Sequence, residues 1–171
     1  MIEFKALVEK ETGQKLKAPR SDNGGEYVSN TFKEFFTKEG IRRELIAPHK
    51  PYKNGVVERK NRRIAGATRA MLHCEGFSLN LWLEACNTAV YLHNKSPHII
   101  LGMITPKESF SRRKPDVSHI IIFGATVYCH VYKDSRKKLE PTIEMGVFVG
   151  YIETPHNYSV YFPSFKVTVV K

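Results

Sequence analysis

Cysteine, paired metal-ligand motifs and long apolar runs are all scarce in this 171-residue sequence. The three cysteines (Cys74, Cys86 and Cys129) contain no CxxC motif, and their odd number argues against a disulfide framework. Paired cysteines and histidines at zinc spacing are absent, so we assign no zinc. No apolar run approaches the roughly 18 residues that cross a bilayer, and the N-terminus lacks the pattern of a secretory signal. These features predict an intracellular protein with no membrane partner.

Positive charge is abundant, and it is concentrated. The formal net charge is +10, and residues 41–70 contain nine Lys or Arg but only two acids, Glu44 and Glu58. A run of charge is usually a solvated face, but this density is the footprint expected for binding a polyanion. Nucleic acid is therefore the leading partner that the composition predicts.

Helical periodicity dominates the first two thirds of the chain. Hydrophobic residues make up 42% of the sequence, which is enough for a packed core. Gly40 is expected to end one helix, and Thr105 with Glu108 forms a capping box that begins another. The periodicity assigns Val57 and Trp82 to buried helix faces. The longer predicted helices cover residues 2–10, 30–40, 56–72 and 80–94.

The two parts of the chain differ in their strand content. Short strands are predicted over residues 14–20 and 41–48, and helical periodicity ends near residues 111–116. The β-rich runs that follow, at 119–131, 144–152, 157–163 and 165–170, favour a small barrel or sandwich. The predicted fold class is therefore α/β followed by small β, with domains at residues 1–113 and 114–171.

Two acids stand out within this pattern. Asp22 follows a predicted strand and precedes the turn-forming residues 23–25, so it is expected at the end of that strand. Glu58 lies in the first turn of a helix, where an acid favours the helix dipole and where Arg62 is four residues away. Each residue alone fits a structural role. Two nearby carboxylates repel by about 4 kcal/mol at moderate dielectric, and a divalent cation reverses that penalty. Carboxylates within a basic surface suit metal-assisted phosphodiester chemistry.

Two motifs at a fixed spacing carry a family resemblance. Residues 20–27 (RSDNGGEY) and 54–62 (NGVVERKNR) resemble the integrase of Copia-type long-terminal-repeat retrotransposons, a DDE polynucleotidyl transferase. Thirty-five residues separate Asp22 from Glu58, the spacing typical of that family. The resemblance continues through much of residues 81–163. It implies an incomplete ribonuclease H-like integrase core followed by an SH3-like barrel.

The resemblance also implies roles and partners. Asp22 and Glu58 would be the second and third catalytic acids and would bind Mg²⁺ or Mn²⁺. The expected DNA, both retroelement ends and target, would meet a set of polar and basic residues near Glu58. That set is Lys53, Asn54, Arg59, Lys60, Arg62 and Arg63. Further partners implied are a second copy or a full-length integrase, in the nucleus or a cytoplasmic particle.

The first catalytic aspartate of the family would lie upstream of Asp22. Here the acids before Asp22 are Glu3, Glu9 and Glu11, which lie on or just after a predicted helix. We therefore expect a fragment without the first core strands, the first aspartate and the zinc-binding segment. Three functions stay open: an integrase piece inactive alone, a catalytically silent DNA-binding module, and an unselected retroelement remnant.

Overall fold

The computed structural model divides into two compact units, Met1–Arg62 and Arg63–Lys171, with the division inside a helix. The predicted boundary between residues 113 and 114 stays a prediction. The residues that the structure describes are 2–21, 29–45, 55–74, 76–131, 136–138, 141–152, 157–164 and 167–170.

The element order agrees with an α/β part followed by a β part. Single 3₁₀ turns lie at Leu79–Leu81 and Ile99–Leu101. The α-helices are α1 (Ile2–Thr12), α2 (Asn30–Lys38), α3 (Gly55–Cys74), α4 (Trp82–Lys95) and α5 (Pro106–Ser111). The strands are β1 (Arg20–Ser21), β2 (Glu44–Leu45), β3 (Thr126–His130), β4 (Ile143–Tyr151), β5 (Tyr158–Phe162) and β6 (Val167–Val170).

Local chemistry ends α2 where the sequence predicts. Gly40 has φ +63°, and the amide of Ile41 donates to the carbonyl of Phe36 at 2.9 Å. The Gly40 amide donates to Thr37, which completes a Schellman motif. Phe36 and Ile41, the residues at the two ends of this hydrogen bond, are both buried. The prediction of a helix end at Gly40 is confirmed.

A short parallel ladder precedes Asp22. Strands β1 and β2 pair in parallel, with Arg20 opposite Glu44. The Nε and Nη2 atoms of Arg20 donate to Oε2 of Glu44 at 3.1 and 2.8 Å. Of the strand predicted over residues 14–20, only Arg20 is in a strand, β1, which begins directly after Pro19, a residue with no amide hydrogen for a ladder. The strand predicted over residues 41–48 contains β2 at Glu44–Leu45, and its residues 46–48 lie outside the described residues.

The second unit contains an antiparallel sheet in the order β3-β4-β5-β6. One face is closed by a cluster of buried side chains on β3 and β5: Cys129, Val160 and Phe162. A Cβ at Gly146 would collide with the side chain of Val160, so only glycine fits at this crossing. A register shift between Phe148 and Gly150 marks a bulge in β4.

Helix α4 packs closely against β4. Ala85, Thr88 and Ala89 are buried along one side of the helix. A Cβ at Gly150 would lie 3.3 Å from Oγ1 of Thr88, tighter than ordinary van der Waals contact. The Thr88 hydroxyl donates to the carbonyl of Val149 at 3.0 Å. Small residues on both elements therefore allow a direct hydrogen bond between helix and strand.

Aromatic residues continue the packing of α4 against β4 toward the end of α4. The rings of Tyr91 and Tyr151 stack at 4.3 Å, and the Tyr91 hydroxyl lies 2.6 Å from Nε2 of His119. The Tyr151 hydroxyl accepts from the Ile121 amide and donates to the Ile121 carbonyl. Burial raises the pKa of the Tyr151 phenol above its ordinary value. The segment around residues 119–121 is thus held against both α4 and β4.

Two predicted core residues are exposed. Val57 on α3 is 54% exposed, and Trp82 at the start of α4 is 56% exposed. Both stand in the first turn of a helix, whereas the buried residues Leu72 and Ala85 lie further along each helix. Periodicity identified the correct helices but not the turns that the core covers.

The predicted fold class is confirmed in its coarser form. Helices with a short parallel ladder precede an antiparallel sheet. Thr105 is the N-cap of α5, with its hydroxyl accepting from the Glu108 amide at 3.1 Å, which is one of the two bonds of the predicted capping box. Among the described residues, no helix is long and apolar enough to span a membrane.

Replacing Thr88 with valine is expected to lower the free energy of unfolding by about 1–3 kcal/mol. The variant keeps the shape of the side chain but leaves the buried Val149 carbonyl without its donor. Urea titration followed by circular dichroism measures the change.

Thr126→Val is the matched control, since Thr126 is exposed on β3 of the same unit. We expect its effect to stay within about 0.5 kcal/mol. Equal losses in the two variants would contradict the role assigned to the Thr88 hydrogen bond.

Candidate nucleic-acid interface

Helix α3 separates a charged side from a buried side. Its residues advance by about 100° each, so Arg59, Arg62 and Arg63 lie on one side. Thr68 and Leu72, which are buried, lie on the opposite side. The charged residues near its start are all exposed: Glu58, Arg59, Lys60, Arg62 and Arg63. We call Arg59, Lys60, Arg62 and Arg63 the basic face of α3.

One arginine of the basic face has a partner distant in sequence. Nη1 of Arg63 lies 3.3 Å from Nε2 of His98. A guanidinium only donates hydrogen bonds, so the contact requires Nε2 of His98 to act as the acceptor. This contact fixes the direction of the Arg63 side chain.

Glu58 is exposed in the first turn of α3. Arg62 is four residues further along, but within the described part of the chain no ion pair joins the two side chains. The structural interpretation of Glu58 as half of an i,i+4 pair therefore has no contact to support it. Its carboxylate oxygens are of the type that Mg²⁺ and Mn²⁺ prefer.

The other predicted site residues, Asp22, Lys53 and Asn54, lie outside the described residues. The structure does describe what leads to Asp22: β1 ends at Ser21, the residue immediately before it. Within the described ranges, no group of three or more metal-binding side chains occurs. The pairing of Asp22 with Glu58 stays a prediction.

Two features of the second unit were missing from the sequence-based expectations. The Arg63–His98 contact joins residues 35 apart and has no local signal. Tyr128 is exposed on β3, and here a signal existed. The run TVYCH alternates, which places Tyr128 on the same side as Thr126 and His130 and opposite to buried Cys129.

Comparison with known families identifies the strands at the C-terminal end of the chain. The family described as "Retroviral polymerase SH3-like domain" matches residues 125–171, a range that includes β3 to β6. The SH3-like domain predicted at the C-terminal end is therefore confirmed.

Curated relatives define the family of the chain. It is 41% identical over 160 residues to the retrovirus-related Pol polyprotein from transposon TNT 1-94 of Nicotiana tabacum, covering 94% of this chain and 12% of that protein. It is 31% identical over 157 residues to the corresponding polyprotein from transposon RE2 of Arabidopsis thaliana, covering 92% and 11%. The chain belongs to the retrovirus-related Pol polyproteins of transposons and fits the predicted fragment of a Copia-type integrase. It spans about one eighth of these relatives' length.

A solved structure is also similar over most of the chain. It is a chain from the "CryoEM structure of simian T-cell lymphotropic virus intasome in complex with PP2A regulatory subunit B56 gamma". The TM-score is 0.49 at 15% identity, with 96% of this chain and 58% of that chain covered. A likeness at this level does not define the fold of the first unit.

Proposed function

We propose that this chain is the segment of a retrotransposon integrase that binds DNA and supplies two acids of its metal site. The observation that carries the proposal is the exposed basic face of α3 beside Glu58, whose carboxylate is exposed and, among the described residues, is joined to Arg62 by no ion pair. Membership of the Pol polyprotein family supports it.

The basic face suits a DNA backbone. Arginine stays charged at any physiological pH, and its planar fork matches phosphate oxygens. Helix α3 from Gly55 to Cys74 carries five Lys or Arg and one acid. Contacts of this kind position a protein on DNA and carry little sequence information. We therefore propose binding to duplex DNA with weak sequence preference.

The proposed metal site consists of Asp22 and Glu58. The β1–β2 ladder ends next to Asp22, and Glu58 begins a helix, which is the arrangement that a ribonuclease H-like core would need. When bound, Mg²⁺ or Mn²⁺ would activate a water or a 3′-hydroxyl toward a phosphodiester. The two carboxylates would hold the ion, and the basic face would hold the neighbouring phosphates.

Neutralising three residues of the basic face tests the DNA contact. In the variant Arg59→Gln, Lys60→Gln, Arg62→Gln, glutamine keeps a similar helix propensity. Arg63 is left intact because of its contact with His98. The slope of log affinity against log salt should become shallower by up to about 3, since each lost phosphate contact removes about 0.9. Fluorescence anisotropy with a labelled duplex measures it.

The matched control neutralises the exposed cluster Arg112, Arg113 and Lys114 to glutamine, with the same change in net charge. Its salt slope should stay close to that of the unmodified chain. Equal slopes for the two triple variants would place the phosphate contacts elsewhere.

Variants of the two acids test the metal site. Mn²⁺ affinity, measured by calorimetry in the absence of DNA, should fall by about tenfold or more in Glu58→Gln and in Asp22→Asn. Because both acids hold one ion, the double variant should lose little more than either single variant.

Glu3→Gln is the control for this test, because Glu3 is also an exposed acid in the first turn of a helix. It should bind Mn²⁺ like the unmodified chain. Additive losses in the double variant would mean that Asp22 and Glu58 act at separate sites.

The second candidate is a DNA-binding module without catalysis. The family resemblance implies three acids, and these 171 residues supply two matching positions. We expect the chain alone to show no Mn²⁺-dependent joining of DNA strands above background in a strand-transfer assay. Joining that Glu58→Gln abolishes would establish that the chain is active by itself.

A further inference from the structure

The β3–β4 hairpin has an exposed face made of large side chains. Tyr128 is 72% exposed, Met145 62% and Ile143 55%, and His130 is also exposed. Tyr128 lies directly opposite Met145, and His130 lies opposite Ile143. We call these four residues the hairpin face. Apolar surface grouped in this way, rather than scattered singly, is typical of a binding site.

The opposite side of the β3–β4 hairpin is buried. Cys129, between Tyr128 and His130, is buried in the cluster with Val160 and Phe162. Gly146, next to Met145, leaves no room for a Cβ. The exposed residues are therefore carried by strands whose other side packs in the core.

The spacing on β3 suits unstacked bases. Residues two apart on one side of a strand are separated by about 6.6 Å, roughly twice the rise of about 3.4 Å per nucleotide in duplex DNA. Aromatic side chains at such positions on a sheet are a common way of binding single-stranded nucleic acids, since every base has a flat face. One base would stack on Tyr128, and the next base would lie beside His130.

The charge near the hairpin face indicates which kind of partner would bind there: a polyanion rather than a second copy of this chain. The connection between β3 and β4, residues 131–142, contains four Lys or Arg and two acids. Among its described residues, Lys137 and Lys138 are exposed, and both lie between His130 and Ile143 in the sequence. Glu144 lies opposite Cys129, so it belongs to the other side of the sheet. A second copy would bring another net charge of +10, whereas a polyanion is attracted.

We propose that the hairpin face binds unpaired bases of single-stranded DNA, with Tyr128 as the stacking residue and Lys137 and Lys138 beside the backbone. The proposal rests on the proposed DNA-binding function and deepens it. The basic face of α3 serves duplex phosphates, and the hairpin face adds a site for bases that have left the duplex.

Three probes separate base stacking from charge. They are a 12-nucleotide oligo(dT), an abasic strand of equal length and charge, and a 12-base-pair duplex. Tyr128→Ala should weaken oligo(dT) binding about fivefold or more and leave binding of the abasic strand unchanged. Tyr128→Phe should bind oligo(dT) like the unmodified chain, because stacking needs the ring and not the hydroxyl. Thr126→Ala, on the same side of β3, should also have no effect.

A spectroscopic measurement guards against a loss of folding in Tyr128→Ala. Trp82 is the single tryptophan, so Tyr128→Trp in a Trp82→Phe background reports on the hairpin face alone. Oligo(dT) should quench its fluorescence, and the abasic strand should not. Equal weakening of oligo(dT) and the abasic strand in Tyr128→Ala, or equal quenching by both, would overturn the proposal. Binding of the 12-base-pair duplex tests the basic face of α3. If that proposal fails, duplex binding changes, while the comparison of oligo(dT) with the abasic strand still tests the hairpin face.

Discussion

The close approach of α4 to β4 is the constraint on which the second unit depends. It is possible only because the helix presents alanine and threonine where the strand has Gly150. At this distance the Thr88 hydroxyl reaches the Val149 carbonyl, whose polarity would otherwise be costly to bury. A Cβ at position 150 would require Thr88 or β4 to shift by a few tenths of an ångström, which would strain the Thr88–Val149 hydrogen bond.

The same packing decides where positive charge appears. Leu72 of α3 joins Ala85 and Val149 in one core cluster. Once Leu72 points inward, the 100° step of the helix turns Arg63 and its neighbours outward. Turning the helix over would bury an unpaired arginine and expose a leucine, and both changes cost free energy. The charged side of α3 is thus a consequence of the hydrophobic core, and its direction is set by residues that are uncharged.

Sequence alone predicted what local chemistry determines. Gly40 ends α2 and Thr105 caps α5, each with the hydrogen bond that its local pattern requires. It did not predict which apolar turns are covered, so Val57 and Trp82 were placed in the core. That outcome depends on tertiary contacts, as does the Arg63–His98 contact. For the candidate site, the sequence predicted the exposed basic face of α3, while the pairing of Asp22 with Glu58 stays a prediction.

The exposure of Glu58 limits what it can do alone. A carboxylate and a unit positive charge 4 Å apart attract by about 1 kcal/mol in water and about 4 kcal/mol at an effective dielectric of 20. One solvated carboxylate therefore holds a cation weakly, and Mg²⁺ takes its remaining ligands from water and phosphate. On the proposed function, phosphates brought by the basic face would complete the ion's ligands. Metal affinity and DNA affinity would then be coupled reciprocally, each raising the other by the same factor.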